Sequence, residues 1–272
     1  MNTNDIPLIL EADALMPLLG QPNVLLVDVS QGEMYIKQHL PGAVFLEYTW
    51  IVDSDKPRMG LLPDAKRLSY LLSAYGISED THVIAYDDEG GGRACRFLYT
   101  LDCVGHSRFS LLNGGLYAWL HEGHATEQTI HFPSACERAV THNPGPIADK
   151  DYILKHINDD DVVILDTRSS HEYMGTKIFA ARGGHIPGAI HYEWTRAMDE
   201  HRNLRLKPAD ELKQALAQEG ITPGKTIVCH CQSHHRSAHT YIVLKSLGFT
   251  NVKGYPGSWS EWGNDPNLPI EC

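Results

Sequence analysis

The chain has 272 residues, 42% hydrophobic and 21% charged, the balance of a soluble globular protein too long for one ordinary core, so about two domains are expected. No run approaches the roughly 18 apolar residues of a membrane span, and a net charge of -11 argues against nucleic acid as a partner, since such proteins carry a basic face. That charge also opposes long-range capture of anions, so an anionic substrate requires a local binding device.

In chain order, Asp5, Glu11 and Asp13 precede the first basic residue, Lys37, where a secretory signal needs positive charge; a cytoplasmic location is expected. Residues 24–27, 83–86 and 109–112 are short apolar runs bounded by turn residues, as buried strands are. DAKRLSYLLSAYG, 64–76, opens on a Pro and Asp signal and closes on glycine, which predicts a helix. A stretch rich in breakers, PSACERAVTHNPGP, follows and reads as a linker. Beyond it, strands are predicted over 162–165, 227–229 and 252–255, with a helix over PADELKQALAQEG, 208–220. Strand, helix, strand order with short loops gives an α/β fold, a mainly parallel sheet flanked by helices on both faces. The division is a first domain at 1–132, a linker at 133–147 and a second domain at 148–272.

The two halves repeat one another. Asp28 matches Asp166 and His39-Leu-Pro-Gly-Ala matches His185-Ile-Pro-Gly-Ala, with an eight-residue insertion between these marks in the second copy because the offset grows from 138 to 146. Gly105 then pairs with Gly248 and Trp119 with Trp262 at an offset of 143. The six cysteines, Cys95, Cys103, Cys136, Cys229, Cys231 and Cys272, are too few and too irregular for a disulfide scaffold and read as thiols.

Chemistry concentrates in TIVCHCQSHHRSAH, 226–239. The predicted strand ends at Cys231-Gln232-Ser233-His234-His235-Arg236 and a helical pattern begins, running to Gly248. Ligands of parallel sheets bind at such strand ends, and unpaired N–H groups at a helix start form a local anion site. Here the anion would be the cysteine sulfur itself. Such surroundings lower a thiol pKa from about 8.5 to between about 3.5 and 7.5, which makes Cys231 a credible nucleophile, while Cys229, inside the strand, reads as a packed thiol. Zinc on Cys229, Cys231, His234 and His235 has poor spacing, and a Cys229–Cys231 disulfide is disfavoured on an extended strand. Cysteine phosphatases place five residues between Cys and Arg; only four, Gln232 to His235, stand here, and the tighter ring suits a single sulfur. In the first copy Asp87 takes the cysteine's position and Arg93 follows after five residues; that copy has no nucleophile, and its acidic loop repels anions.

Asp166-Thr-Arg168, GGHIPGA at 183–189, the CQSHHR loop and GYPGSWSEWGNDPNLPIE near the end together resemble the tandem-domain rhodaneses, over nearly the whole chain. The loop is neither the CRKGVT of mammalian-type thiosulfate enzymes nor the CG(S/A)GVT of mercaptopyruvate enzymes, and is similar to a bacterial two-domain type with Cys-Gln-Thr-His-His-Arg. The resemblance implies two rhodanese-like domains, the first silent, and a ping-pong reaction in which a Cys231 persulfide carries sulfur from thiosulfate to an acceptor such as cyanide, without metal or organic cofactor. Mercaptopyruvate is the alternative donor, and a persulfide carrier or redox sensor with little turnover the alternative function; a protein sulfur acceptor is possible for either. The substrate-binding set is then Gln232, Ser233, His234, His235, Arg236, Asp166 and Arg168. Within it Arg236 is expected chiefly to shape the loop by bridging to Glu172 or Asp166, Asp166 with Arg168 reads equally as a structural ion pair, and Trp194 can line the cleft.

Overall fold

A computed structural model describes residues 6–272; Asp5 lies outside them. The described chain falls into two compact units, each an open sheet of parallel strands. In the first half the strands are β1 (Ile9–Leu10), β2 (Val24–Asp28), β3 (Val44–Phe45), β4 (Asp53–Asp55), β5 (Arg58–Leu61), β6 (His82–Tyr86) and β7 (Phe109–Leu112). In the second they are β8 (Val162–Asp166), β9 (Ile190–His191), β10 (Met198–Asp199), β11 (Arg205–Leu206), β12 (Thr226–His230) and β13 (Val252–Gly254). The first unit's sheet has the order β1-β7-β6-β2-β3 and the second's β13-β12-β8-β9, and in the second the bridge between Ile147 and Gly254 supplies the start of a further edge. Central strands β6 and β12 are buried almost throughout, which is why they read as continuous apolar runs rather than alternations.

Both predicted helices form, as Ala65–Ala74 and Ala209–Gln218. Asp64 caps the first by accepting from the Arg67 N–H at 2.7 Å, satisfying an otherwise orphan donor. Pro208 takes the equivalent place in the second without a side-chain cap. The matched cores are also similar in kind: Leu26, Ile84, Leu112 and Trp119 in one unit, Ile164, Val228, Trp259 and Trp262 in the other.

The His-x-Pro-Gly-Ala repeat has a structural use. His39 bridges Glu127 and His185 bridges Glu271 through paired backbone hydrogen bonds. Each imidazole lies flat on a tyrosine, Tyr35 at 3.9 Å and Tyr173 at 3.8 Å between centroids. The two histidines thus fasten matching later segments, at Glu127 and Glu271, within their units.

The sequence division is contiguous; the compact units are not. The first contains the described chain to Ile51, Pro63–Asn143 and Met198–Leu206, and the second contains Val52–Leu62, Pro144–Ala197 and Lys207–Cys272. The antiparallel hairpin β10–β11, from the second half, is held within the first unit by Arg205, which pairs with Glu11 at 2.9 Å and with Glu122, and by the Leu206 N–H donating to Asn113 at 2.8 Å. The hairpin β4–β5, from the first half, belongs reciprocally to the second unit. Much of the breaker-rich stretch packs on the first unit, with the N–H groups of Cys136, Val140 and Asn143 donating to Ser73 O, Ser69 Oγ and Cys103 O. Among the described residues no helix is long and apolar enough to cross a membrane, and all six cysteines are free thiols.

Candidate active site

Strand β12 delivers Cys231 to the carboxyl end of the second sheet, and the loop turns at once into the helix Arg236–Ser246. His234 makes the turn in the left-handed region at φ 54°. Three hydrogen bonds from a neighbouring segment fix the loop backbone: Trp259 N–H to Cys231 O and Ser260 N–H to Gln232 O, both at 2.9 Å, and Cys231 N–H to Ser258 Oγ at 3.3 Å. Ser258 itself has φ 51°, a conformation uncommon for a side chain larger than glycine.

Cys231 is fully buried, and burial alone would raise its thiol. That is outweighed by the charge of Arg236, the Ser237 hydroxyl and the backbone N–H groups of Ser237 and Ser233, so the pKa falls below that of an ordinary thiol. With the hydroxyl donating to sulfur, the Ser237 oxygen accepts from His234 Nδ1 at 2.7 Å, which places that proton on Nδ1. His234 is buried, and its ring contact toward the sulfur is with Ser237. Cys229, two residues back on the strand, is pushed strongly upward by burial and by Cys231 itself, so one of the adjacent thiols is activated and the other suppressed.

Arg236 donates through both terminal nitrogens to Glu172, at 2.7 and 2.8 Å. Glu172 is also tied into a capping box with Ser169 at the start of the helix Ser170–Tyr173, so the guanidinium stands on a fixed carboxylate. Of the two partners considered from sequence, Glu172 takes the role. Asp166 is engaged instead by Arg168, whose Nη2 lies 2.6 Å from Asp166 Oδ2 and 2.7 Å from Gly184 O, and whose guanidinium stacks over Trp259 at 4.4 Å. Both members are buried and their charges face each other. Of the two readings from sequence, a substrate contact and a structural ion pair, the geometry displays the ion pair. His235 is half-buried, with the Trp194 ring edge-on to it at 6.4 Å; Trp194 also meets His239 at 5.3 Å.

Two neighbours of the loop were not signalled by its sequence. Gln232 Nε2 donates to Phe179 O at 3.3 Å, so the second-copy insertion reaches the loop and leaves Ile178 and Phe179 exposed beside it. On another side β5 lies so close that a Cβ on Gly60 would stand 1.9 Å from Ser233 O, at φ +75°. Only glycine fits both demands. Gly60→Ala is expected to cost at least about 1–3 kcal/mol of stability and to lower turnover by displacing the Ser233 amide from the sulfur; urea melts and initial rates like those of the wild type would show that the contact is unimportant.

In the first unit Asp87 occupies the place of Cys231 after β6. Its carboxylate is buried and accepts from the N–H groups of Glu89, Gly91 and Ala94 at 3.0, 2.8 and 2.9 Å.

Comparison with known proteins agrees with this geometry. A family model described as "Rhodanese-like domain" matches residues 11–122 and again 149–265. A protein of Pseudomonas aeruginosa named thiosulfate sulfurtransferase is 41% identical over 98% of this chain and 98% of its own length, and one of the same name from Azotobacter vinelandii is 42% identical over 98% and 97%. A Thermus thermophilus protein named sulfur carrier protein TtuD is 31% identical over 96% and 95%. Among solved structures, an EanB variant in complex with ergothioneine superposes with a TM-score of 0.84 at 22% identity, over 94% of this chain and 66% of that one, a likeness of fold alone.

Proposed function

The chain belongs to the rhodanese-like family in both of its halves, and from that premise we propose that it is a thiosulfate sulfurtransferase whose second domain carries sulfur on Cys231. The observation that carries this reading is a single buried thiol with a depressed pKa, ringed by the Ser233 and Ser237 amides and the Ser237 hydroxyl. The Cys231 thiolate attacks the outer sulfur of thiosulfate; the S–S bond breaks, its electron pair leaves on sulfite, and a persulfide remains. Cyanide then attacks the terminal sulfur, departs as thiocyanate and restores the thiolate. No proton is consumed in either half, so the site needs charge stabilisation rather than a general acid. The amides and hydroxyl that now face Cys231 supply it, around a buried sulfur where such donors act strongly. Arg236, held by Glu172, lends a fixed positive charge without being a free ligand. Gln232 and His235, half-buried at the loop's rim, are the residues best placed to meet the donor's sulfonate.

Steady-state rates at varied thiosulfate and cyanide are expected to give parallel double-reciprocal lines; intersecting lines would exclude the persulfide relay. Because the thiol is shifted downward, the loading rate should rise with pH and level off below the ordinary thiol value. Glu172→Gln frees Arg236 from its anchor and should move that inflection upward and lower the rate at neutral pH, which stopped-flow loading over a pH series checks. An unmoved inflection would separate Arg236 from thiol activation.

Mercaptopyruvate is the alternative donor, decided by the same assay with the donors exchanged. A carrier that passes sulfur to a protein acceptor is favoured by the Thermus relative's name; it would load once and release sulfur only to its partner. Six free thiols and the net charge of -11 support a reducing, cytoplasmic setting and small-molecule or protein partners rather than nucleic acid.

A further inference from the structure

The loop after β6 carries no thiol, yet it is built as the catalytic loop is built. The Leu116 N–H donates to Asp87 O at 2.9 Å, as the Trp259 N–H donates to Cys231 O at 2.9 Å. The donors that face the sulfur come from Ser233 and Ser237; those that face the Asp87 carboxylate come from the matching positions Glu89 and Ala94, with Gly91 added. Arg93 holds the matching place at the loop's end, 3.6 Å from Glu89. The loop has one residue more, five before Arg93 against four before Arg236, and Ala94 supplies no hydroxyl where Ser237 does. Burial and the charge of Glu89 push Asp87 up to about 6, while the three N–H donors on its two oxygens favour the ionised carboxylate.

We propose that the first domain retains a second anion cradle built of backbone N–H groups, kept filled by the chain's own Asp87 carboxylate, so that this half is silent by occupancy and not by loss of its binding loop. Of the acidic residues in this loop, Asp87 therefore points inward and satisfies the cradle, while Asp88 and Glu89 stay partly exposed. The ligand class is a thiolate or persulfide sulfur attached at position 87, one negative charge on one polarisable atom.

The inference rests on the persulfide reading of Cys231, and the experiment keeps the two apart. The full-length variant Asp87→Cys, combined with Cys231→Ser and with Cys95→Ala to remove the buried thiol whose pKa Asp87 raises, is treated with thiosulfate and weighed intact. The wild type and the variant carrying Cys231→Ser alone are run alongside. The expected result is a gain of one sulfur, lost on adding cyanide, in the triple variant and in the wild type but not in Cys231→Ser. If the wild type loads and the folded triple variant does not, the second cradle is refuted; if the wild type itself fails to load, the persulfide reading fails first. Should the triple variant not fold, hydrogen exchange of the 88–94 segment in Asp87→Asn decides. Replacing one acceptor oxygen by an amide nitrogen should speed exchange about tenfold, the loss of one charge-assisted hydrogen bond. Exchange equal to the wild type would mean that the carboxylate does not hold the loop.

Discussion

Cys231→Ser is expected to reduce thiocyanate formation to the uncatalysed background, a loss of at least about a thousandfold, and to abolish the sulfur gained on thiosulfate treatment, read by intact mass. The serine hydroxyl fits the same space, but the loop's donors and the Arg236 charge cannot hold it deprotonated at neutral pH as they hold a thiol. The neighbouring thiol cannot substitute: Cys229 is buried within β12 and its pKa is driven up, by burial first and by Cys231 next. Cys95 is likewise raised by burial and by Asp87. The collapse should therefore be complete in Cys231→Ser and small in Cys229→Ala, in which only packing changes. Persistent turnover in Cys231→Ser would move the nucleophile elsewhere and remove the basis of the mechanism.

How much of this was legible before the structure depends on whether the signal lay within one segment. The buried strands stood out because both sheet faces are covered, and the position of Cys231 followed from the end of β12 and the helix beginning at Arg236. The repeat supplied the aligned Asp87, and the two equivalent histidine bridges show that the matched His-Pro-Gly-Ala segments do matched structural work. The resemblance to the rhodaneses makes Glu172 and Asp166 candidate partners of Arg236, and only the structure chooses Glu172. What stayed hidden depends on proximity between distant segments. Nothing in the residues around Gly60 announces that Ser233 O will lie against it, and β4–β5 is a short polar hairpin whose destination no periodicity encodes. The insertion before Gly183 was visible as an offset change, but its contact through Phe179 O was not, since a backbone carbonyl has no residue signature. Ser237 lies within 226–239 but carries no signal there, because its hydroxyl meets the sulfur only once the helix brings it back.

The largest stability effect is expected at the ion pair under the loop. Arg168→Ala removes the partner of Asp166, whose side chain is 0% exposed against 1% for Arg168, and leaves a buried carboxylate; about 3–5 kcal/mol should be lost at neutral pH. Its pH dependence identifies the cause. In the wild type, Asp166 is held below its ordinary value of 3.8: burial raises it, but His230 and Arg168 lower it further. Its contribution is therefore present above that pH and lost as pH falls below it. His230, opposite Asp166 in the β8–β12 register, is lowered from 6.5 to about 4, chiefly by burial. The unfolded chain binds a proton there that the folded chain does not, so stability also falls as pH drops from 6.5 towards about 4. Without Arg168 both pKa values move upward. The unpaired carboxylate titrates upward, and His230, 3.7 Å away, becomes easier to protonate beside it, so the folded variant takes up a proton that the folded wild type refuses. The deficit of Arg168→Ala measured by urea melts should accordingly shrink between neutral pH and about pH 5. A deficit constant across that range would attribute the loss to the contacts with Trp259 and Gly184 O rather than to charge, and replacing both partners, as Asp166→Leu with Arg168→Met, should recover part of the stability only if charge is the cause.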